Sequence, residues 1–292
     1  MSTLKFNANI DPVSDPNQAI TQAKLAESLG YDGVLLQDHA YNANFSATWT
    51  LVTAIGAVTE KVEVGANVLT SAFRNPAILA KEAATLDAIT NGRVILGIGP
   101  GANPPGIAAL GGPTFAKKGD MYRAYRDGLR IIRGLWDSNG ESFGYEGEFQ
   151  SVDGVKFGPI PSRRIPIMTG AMGPQSLDLT AELGDGISVS STYVPYQNLP
   201  WFREQLDAGA ETHGRDASEL FINYNVMGYI HDGGSSARPR NEGVFWGDVA
   251  WWTERLQTIR DMGVTRFTYW PAHGDKNDQL RRFIEEVAPT IN

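Results

Sequence analysis

The chain has 292 residues, 42% of them hydrophobic and 20% charged, with 33 Asp and Glu against 25 Lys and Arg and a formal net charge of −8. The absence of Cys excludes disulfides, thiolate metal sites and cysteine nucleophiles, and the acidic balance argues against nucleic acid or an anionic membrane as the main partner. No apolar run approaches the ~20 residues of a spanning helix, and Met1–Phe6 lacks the apolar core of a leader, so a soluble cytoplasmic protein is the expectation.

Strand-like and helix-like segments alternate from end to end. Leu4–Ile10 reads as a strand, and Pro16–Leu29 has helical period and stops at Gly30, as a glycine just past a helix does. Val34–Leu36 is a buried strand, Ser46 is placed to cap a helix over Ala47–Thr59, and Val62–Val68 is the third strand. Asn75-Pro76 opens a helix to Ile89, closed by Asn91-Gly92. Val94–Ile98 is the fourth strand, followed by a long loop rich in Gly and Pro and by an amphipathic helix over Lys117–Trp136. Residues 140–161 interrupt the series with a hairpin, its turn read at Gly144–Gly147. Ile165–Thr169, Gly186–Ser190, Leu220–Ile230 and Arg266–Trp270 are the remaining strands, and Pro174–Leu183, Tyr196–His213, Asp248–Met262 and Asn277–Val287 are the remaining helices. Only one of the neighbours Trp251 and Trp252 can face the core. A short insertion of loop character is read at 231–247.

Alternating strands and helices imply right-handed crossovers and a parallel sheet. Eight repeats in this length fit a closed (β/α)₈ TIM barrel, an α/β fold of one domain over 1–292. In such a barrel the chemistry sits where strands hand over to helices, which narrows the candidates.

Strand two ends at Gln37-Asp38-His39, and an acid beside a histidine suits acid–base work or hydrogen bonding to a bound ring; a contact that merely fixes the loop is the alternative. His213 and His231 read as surface residues, whereas His273 lies at a strand end. Gly97-Ile98-Gly99-Pro100-Gly101 is not a dinucleotide fingerprint, because Pro104 stands where its last glycine would be. It reads instead as a turn without side chains that something flat or anionic can approach. Gly170-Ala171-Met172-Gly173-Pro174 opens a helix with small residues, offering backbone N–H groups to a phosphate. Four scattered histidines give no metal-ligand pattern.

Three stretches carry a resemblance. Asn75–Asp87 followed by Asn91–Gly99, then Ala181-Glu182-Leu183-Gly184-Asp185-Gly186, then Gly263–Phe267 resemble the luciferase-like monooxygenase superfamily, bacterial luciferase-like TIM barrels that are usually dimeric and bind FMN or the deazaflavin coenzyme F420. Asp38-His39 and Asn67-Val68 resemble its deazaflavin branch, which includes glucose-6-phosphate dehydrogenase, secondary-alcohol dehydrogenase and methylenetetrahydromethanopterin reductase. The resemblance implies that His39, with Asp38, lies beside the deazaflavin ring and that Asn67-Val68 is a bulge, often with a cis peptide, that props the ring. It also implies that Asp38, Gly99, Gly101 and Ala171, Met172, Gly173, Pro174 and Gln175 line the cofactor and its phosphate. Tyr41, Asn103, Trp270 and His273 are the candidates for contact with an organic substrate, and a homodimer is implied.

The glucose-6-phosphate enzymes carry a proton-donating glutamate where this chain has Ala102, and a phosphate-binding lysine that has no counterpart in Ser190–Pro195, so that sugar is not the expected substrate. The leading expectation is a coenzyme F420-dependent oxidoreductase that transfers a hydride between deazaflavin C5 and a small organic substrate. An FMN-dependent monooxygenase is the alternative, and a non-catalytic barrel that binds a flavin or deazaflavin is the second.

Overall fold

The computed structural model describes residues 4–117, 119–233 and 241–291. Its strands are β1 (Lys5–Ile10), β2 (Gly33–Leu36), β3 (Glu63–Ala66), β4 (Leu69–Thr70), β5 (Val94–Gly99) and β6 (Ser142–Glu146). They continue with β7 (Ser151–Lys156), β8 (Ile167–Thr169), β9 (Gly186–Ser190), β10 (Phe221–Ile230), β11 (Phe245–Gly247) and β12 (Arg266–Pro271). Eight of them, in the order β12-β1-β2-β3-β5-β8-β9-β10, form one parallel sheet that closes through the pairing of β10 with β12. This is the expected TIM barrel. β4 pairs with β5 just beyond β3, and β11 adds a short parallel strand to the end of β10.

The helices are α1 (Pro16–Leu29), α2 (Thr48–Val58), α3 (Pro76–Ile89), α4 (Pro104–Ala109), α5 (Asp120–Asp137), α6 (Pro174–Leu183), α7 (Leu199–Thr212), α8 (Val249–Asp261) and α9 (Lys276–Arg282). Local chemistry explains several ends. Asp15 and Asn75 accept hydrogen bonds from the first amides of α1 and α3, each followed by Pro at the first helical position. Gly30 ends α1 at φ 91°, its N–H donating to the Ala26 and Glu27 carbonyls. Trp252 is fully buried and Trp251 half-buried, so one of the pair faces the core. Leu51, Val52, Ile55, Ala80 and Ala83 pack within the chain's own core.

Several boundaries differ from the sequence reading. Ser46 does not cap α2: its hydroxyl donates to the Val13 carbonyl, and Ala47 precedes the helix without a side-chain cap. The third strand stops at Ala66, the Asn67–Val68 peptide that follows is cis, and the chain re-enters the sheet only at Leu69. The loop after the fourth barrel strand contains α4, capped by Asn103. The hairpin of β6 and β7 turns at residues 147–150, later than expected, because the buried Asp127 carboxylate accepts from the Tyr145 hydroxyl and the Phe149 amide. Of the insertion read at 231–247, residues 234–240 lie outside the described residues.

Alternation along the strands sorts side chains between the lumen and the helical layer. On one side the lumen is apolar, filled by Leu35, Ile95 and Met168 with Val68 packed on them. On the other it is amide-rich. Asn7 donates to Asn223 and Thr268, Asn223 donates to Ser188 and Asn225, and Thr268 donates back to Asn223. Burial makes each of these groups expensive to leave unpaired, so the mutual bonding fixes their rotamers.

Candidate functional site

The carboxyl ends of the barrel strands gather most of the residues singled out above. Asp38 and His39 follow β2, but their side chains serve different partners. The buried Asp38 carboxylate accepts from the Thr70 amide at 2.8 Å and from the Arg74 guanidinium at 2.8 Å. It therefore ties the end of β2 to β4, and it does not hydrogen-bond the His39 ring, contrary to the pairing read from the sequence. His39 Nδ1 instead lies 2.7 Å from the Tyr41 hydroxyl, with the Phe45 ring beside it at 6.3 Å. Burial lowers the pKa of His39 below the usual histidine value, against the opposing pull of the Asp38 charge. The same burial, with the charge of Asp38, raises that of Tyr41. The pair is thus a neutral imidazole and a protonated phenol near neutral pH.

Tyr41 packs on Gly106 of α4, where a Cβ would lie 2.8 Å from its ring, and Asn103 approaches the same glycine. The Asn103 side chain accepts from the Gly106 amide, so it is a helix cap with its amide nitrogen left for other contacts. Gly101, at φ 113°, lets the loop pass so tightly that a Cβ would meet Ile107 at 2.7 Å and Thr70 at 3.0 Å.

Asn67 and Val68 lie between the apolar and the amide-rich sides of the lumen. The Asn67 amide donates to Asn225 at 2.7 Å, and its oxygen accepts from Ser188 at 2.5 Å. The Val68 methyl faces Gly99 and Gly170: a Cβ on either would approach it to 3.0 or 3.1 Å. Two neighbouring strand ends thus present bare backbone around one methyl group. A side chain at either glycine would crowd that methyl, so the surface there is flat. Asn9 adds a buried side-chain nitrogen with no partner, and the residues present therefore suit a planar heterocycle with polar edges.

The stretch Ala171–Gln175 opens α6, as expected, but two of its amides are not free. Met172 N–H and Gly173 N–H both donate to the Ser176 hydroxyl, at 3.2 and 3.1 Å. An anion at this helix start would share or replace that hydroxyl. Ala171 is buried, whereas Met172, Pro174 and Gln175 are exposed. On the far rim Trp270 is half-buried and His273 exposed, in contact with Tyr229 and Trp246.

Sequence reasoning missed Thr70 and Arg74, the partners of Asp38, and Ser188, Asn223 and Asn225, the partners of Asn67. One signal was available: in Phe221–Ile230 the polar residues Asn223 and Asn225 recur at period two in an otherwise apolar strand. A cavity of about 620 Å³ lies beside the mouth, between Ser71–Asn75, residues 113–116 and the start of α5. It holds none of the predicted site residues. Among the described residues no group of three or more His, Asp or Glu could hold a metal ion, and no helix is long and apolar enough to cross a membrane.

A family model described as luciferase-like monooxygenase matches residues 2–267. An F420-dependent glucose-6-phosphate dehydrogenase from Rhodococcus erythropolis is 32% identical over 258 residues, covering 84% of this chain and 74% of the relative. A 5,10-methylenetetrahydromethanopterin reductase from Archaeoglobus fulgidus is 30% identical over 216 residues, covering 73% and 60%. In fold, an F420-dependent secondary alcohol dehydrogenase in complex with an F420–acetone adduct superposes with a TM-score of 0.86 over all of both chains at 19% identity.

Proposed function

Because the chain belongs to the luciferase-like monooxygenase family, we propose that it is an oxidoreductase that uses coenzyme F420 and exchanges a hydride with a small organic substrate in the barrel mouth. The reading is supported by relatives named as F420-dependent glucose-6-phosphate dehydrogenases. The observation that carries it is the bare floor of Val68, Gly99 and Gly170 together with the neutral His39–Tyr41 pair at an adjacent strand end. The bound coenzyme would supply a hydride acceptor or donor at one carbon of a planar ring. The ring would rest on Val68 and the glycines, and its anionic tail would reach the start of α6, with Ser176 among its partners. Asp38 would hold the mouth in shape through Thr70 and Arg74.

His39 is assigned the proton that accompanies the hydride. When the substrate is an alcohol, the neutral imidazole accepts the hydroxyl proton as the C–H hydride leaves, and in the reverse direction it returns that proton to the carbonyl oxygen. Tyr41, hydrogen-bonded to Nδ1, fixes the ring's orientation. In the oxidation direction kcat/KM of the free enzyme is therefore expected to fall as pH drops through an apparent pKa below about 6.5, the ordinary histidine value. The acid limb should vanish in His39→Gln; a limb that persists there would assign it to another group.

Side-by-side titration with deazaflavin and FMN, read by fluorescence quenching, tests the coenzyme. Preference for FMN would overturn the reading in favour of a monooxygenase. A Cβ at Gly170 would crowd Val68, and overpacking costs about 1–3 kcal/mol. Gly170→Ala is therefore expected to weaken deazaflavin binding about tenfold in the same titration, and an unchanged affinity would move the ring elsewhere. A homodimer in the cytoplasm completes the proposal. The exposed Val58, Ile78 and Ile89 on α2 and α3 support self-association of that face.

A further inference from the structure

We infer that the cavity of about 620 Å³ beside the barrel mouth is a second binding site, made for a small aromatic carboxylate. It goes beyond the coenzyme reading, because its walls come from outside the lumen: the Ser71–Asn75 turn, the loop at 113–116, the start of α5 and the turn of the hairpin. Its volume lies within the range of about 300–1,000 Å³ typical of small-molecule pockets.

Hydrogen bonds hold the cavity open. Asp127 of α5 accepts from the Phe149 amide at 2.9 Å, and Gln150 Nε2 donates to the Ala124 carbonyl at 3.0 Å. The hairpin turn is thus bonded to α5 and cannot fold into the space without breaking both contacts. Tyr125 is buried and donates to the Ile98 carbonyl at 3.0 Å, which fixes the inner wall. The remaining walls are rich in rings: Phe115 meets Phe149 edge-on at 6.0 Å, and Phe73 and Met121 line the same space. Such faces gain by stacking on or edging against a ligand ring.

Arg74 supplies the polar anchor. Its Nη1 serves the mouth, donating to Asp38 at 2.8 Å and to the Thr70 carbonyl at 2.9 Å. Nε and Nη2, the parallel donors of the other edge, have no partner among the described residues, and the half-buried Arg74 lines the cavity. That edge matches a carboxylate bidentately and leaves the Asp38 bond in place. Asp120, the acid among the lining residues, accepts from the Lys117 amide and from Arg123, so its charge is already matched. A guanidinium that shares its charge with Asp38 suits a monoanion, whereas a phosphate group brings about 1.5–2 negative charges at pH 7.

The experiment is a ligand-observed NMR titration of the full chain without coenzyme, with benzoate, benzyl alcohol and phenyl phosphate as probes. Benzoate is expected to bind at least tenfold more tightly than either of the others. Arg74→Lys keeps the charge and loses the fork, so it should weaken benzoate about tenfold and leave benzyl alcohol within threefold. That selective loss separates removal of the fork from damage to the fold. Phe115→Ala should weaken benzoate and benzyl alcohol alike, by about fivefold or more. Equal affinity for benzoate and benzyl alcohol, tighter binding of phenyl phosphate, a benzoate preference that survives Arg74→Lys, or parental affinities in Phe115→Ala would each overturn the inference. The assay contains no coenzyme, and its variants lie outside the proposed ring floor, so its outcome is distinct from a failure to bind deazaflavin.

Discussion

His39→Ala is expected to lose most of its turnover, about 10²- to 10⁴-fold, the contribution typical of a positioned acid–base group, while keeping deazaflavin affinity within tenfold. The separation follows from what each part of the mouth touches. The ring is proposed to rest on Val68, Gly99 and Gly170, and the atoms nearest a Cβ at either glycine do not include the imidazole. The imidazole is held by Tyr41, and burial keeps it neutral. Steady-state kinetics beside a binding titration checks this. Turnover within threefold of the parent would remove His39 from the chemistry, and equal loss of binding and turnover would make it a ring contact. Tyr41→Phe removes the hydroxyl without the ring, so it should lower kcat less than His39→Ala and leave KM nearly unchanged.

The second expected result is thermodynamic. Asp185, between α6 and β9, accepts from Arg133 at 2.7 Å, Arg164 at 2.7 Å and the Ile167 amide at 2.8 Å, with Arg215 at 3.5 Å. One carboxylate therefore joins two barrel strands to α5 and to the end of α7. Arg133 is itself buried, and its remaining donors go to the Leu183 and Ile165 carbonyls. Removing the acid leaves that guanidinium buried without its counter-ion, a change that costs about 3–5 kcal/mol when one partner of a buried pair is deleted. Asp185→Ala should lower the urea unfolding free energy by that amount without changing the denaturant slope. A loss below 1 kcal/mol would mean that water replaces the carboxylate. The motif Ala181–Gly186 thus has a structural cause in the need to anchor an arginine cluster under the sheet.

Several features of the mouth were legible in the sequence for local reasons. Asn75-Pro76 and Asp15-Pro16 signal helix starts through side-chain caps, and Gly30 signals a helix end through its left-handed conformation. Period-two and period-3.6 patterns then place the strand ends where Asp38, Asn67, Gly99 and Gly170 stand. Ser46 misled because its hydroxyl had a better acceptor at Val13, on a segment 33 residues away in sequence. The turn at Gly144–Gly147 was displaced for the same kind of reason, since Asp127 on α5 sets where the hairpin reverses.

Adjacency in sequence did not predict adjacency of charge. Asp38 and His39 are neighbours in the chain, yet the carboxylate turns to Thr70 and Arg74 while the ring turns to Tyr41. Likewise the amides at Met172 and Gly173, expected to be open, are held by Ser176. By itself the sequence determined the alternation of strands and helices, the closed barrel and the positions at which its loops begin, because these depend on hydrophobic period and local capping. Only the tertiary structure decided which polar groups face one another across the lumen and how Tyr229, Trp246 and His273 meet. Those contacts join residues from distant repeats, and their geometry exists only once the sheet has closed in register.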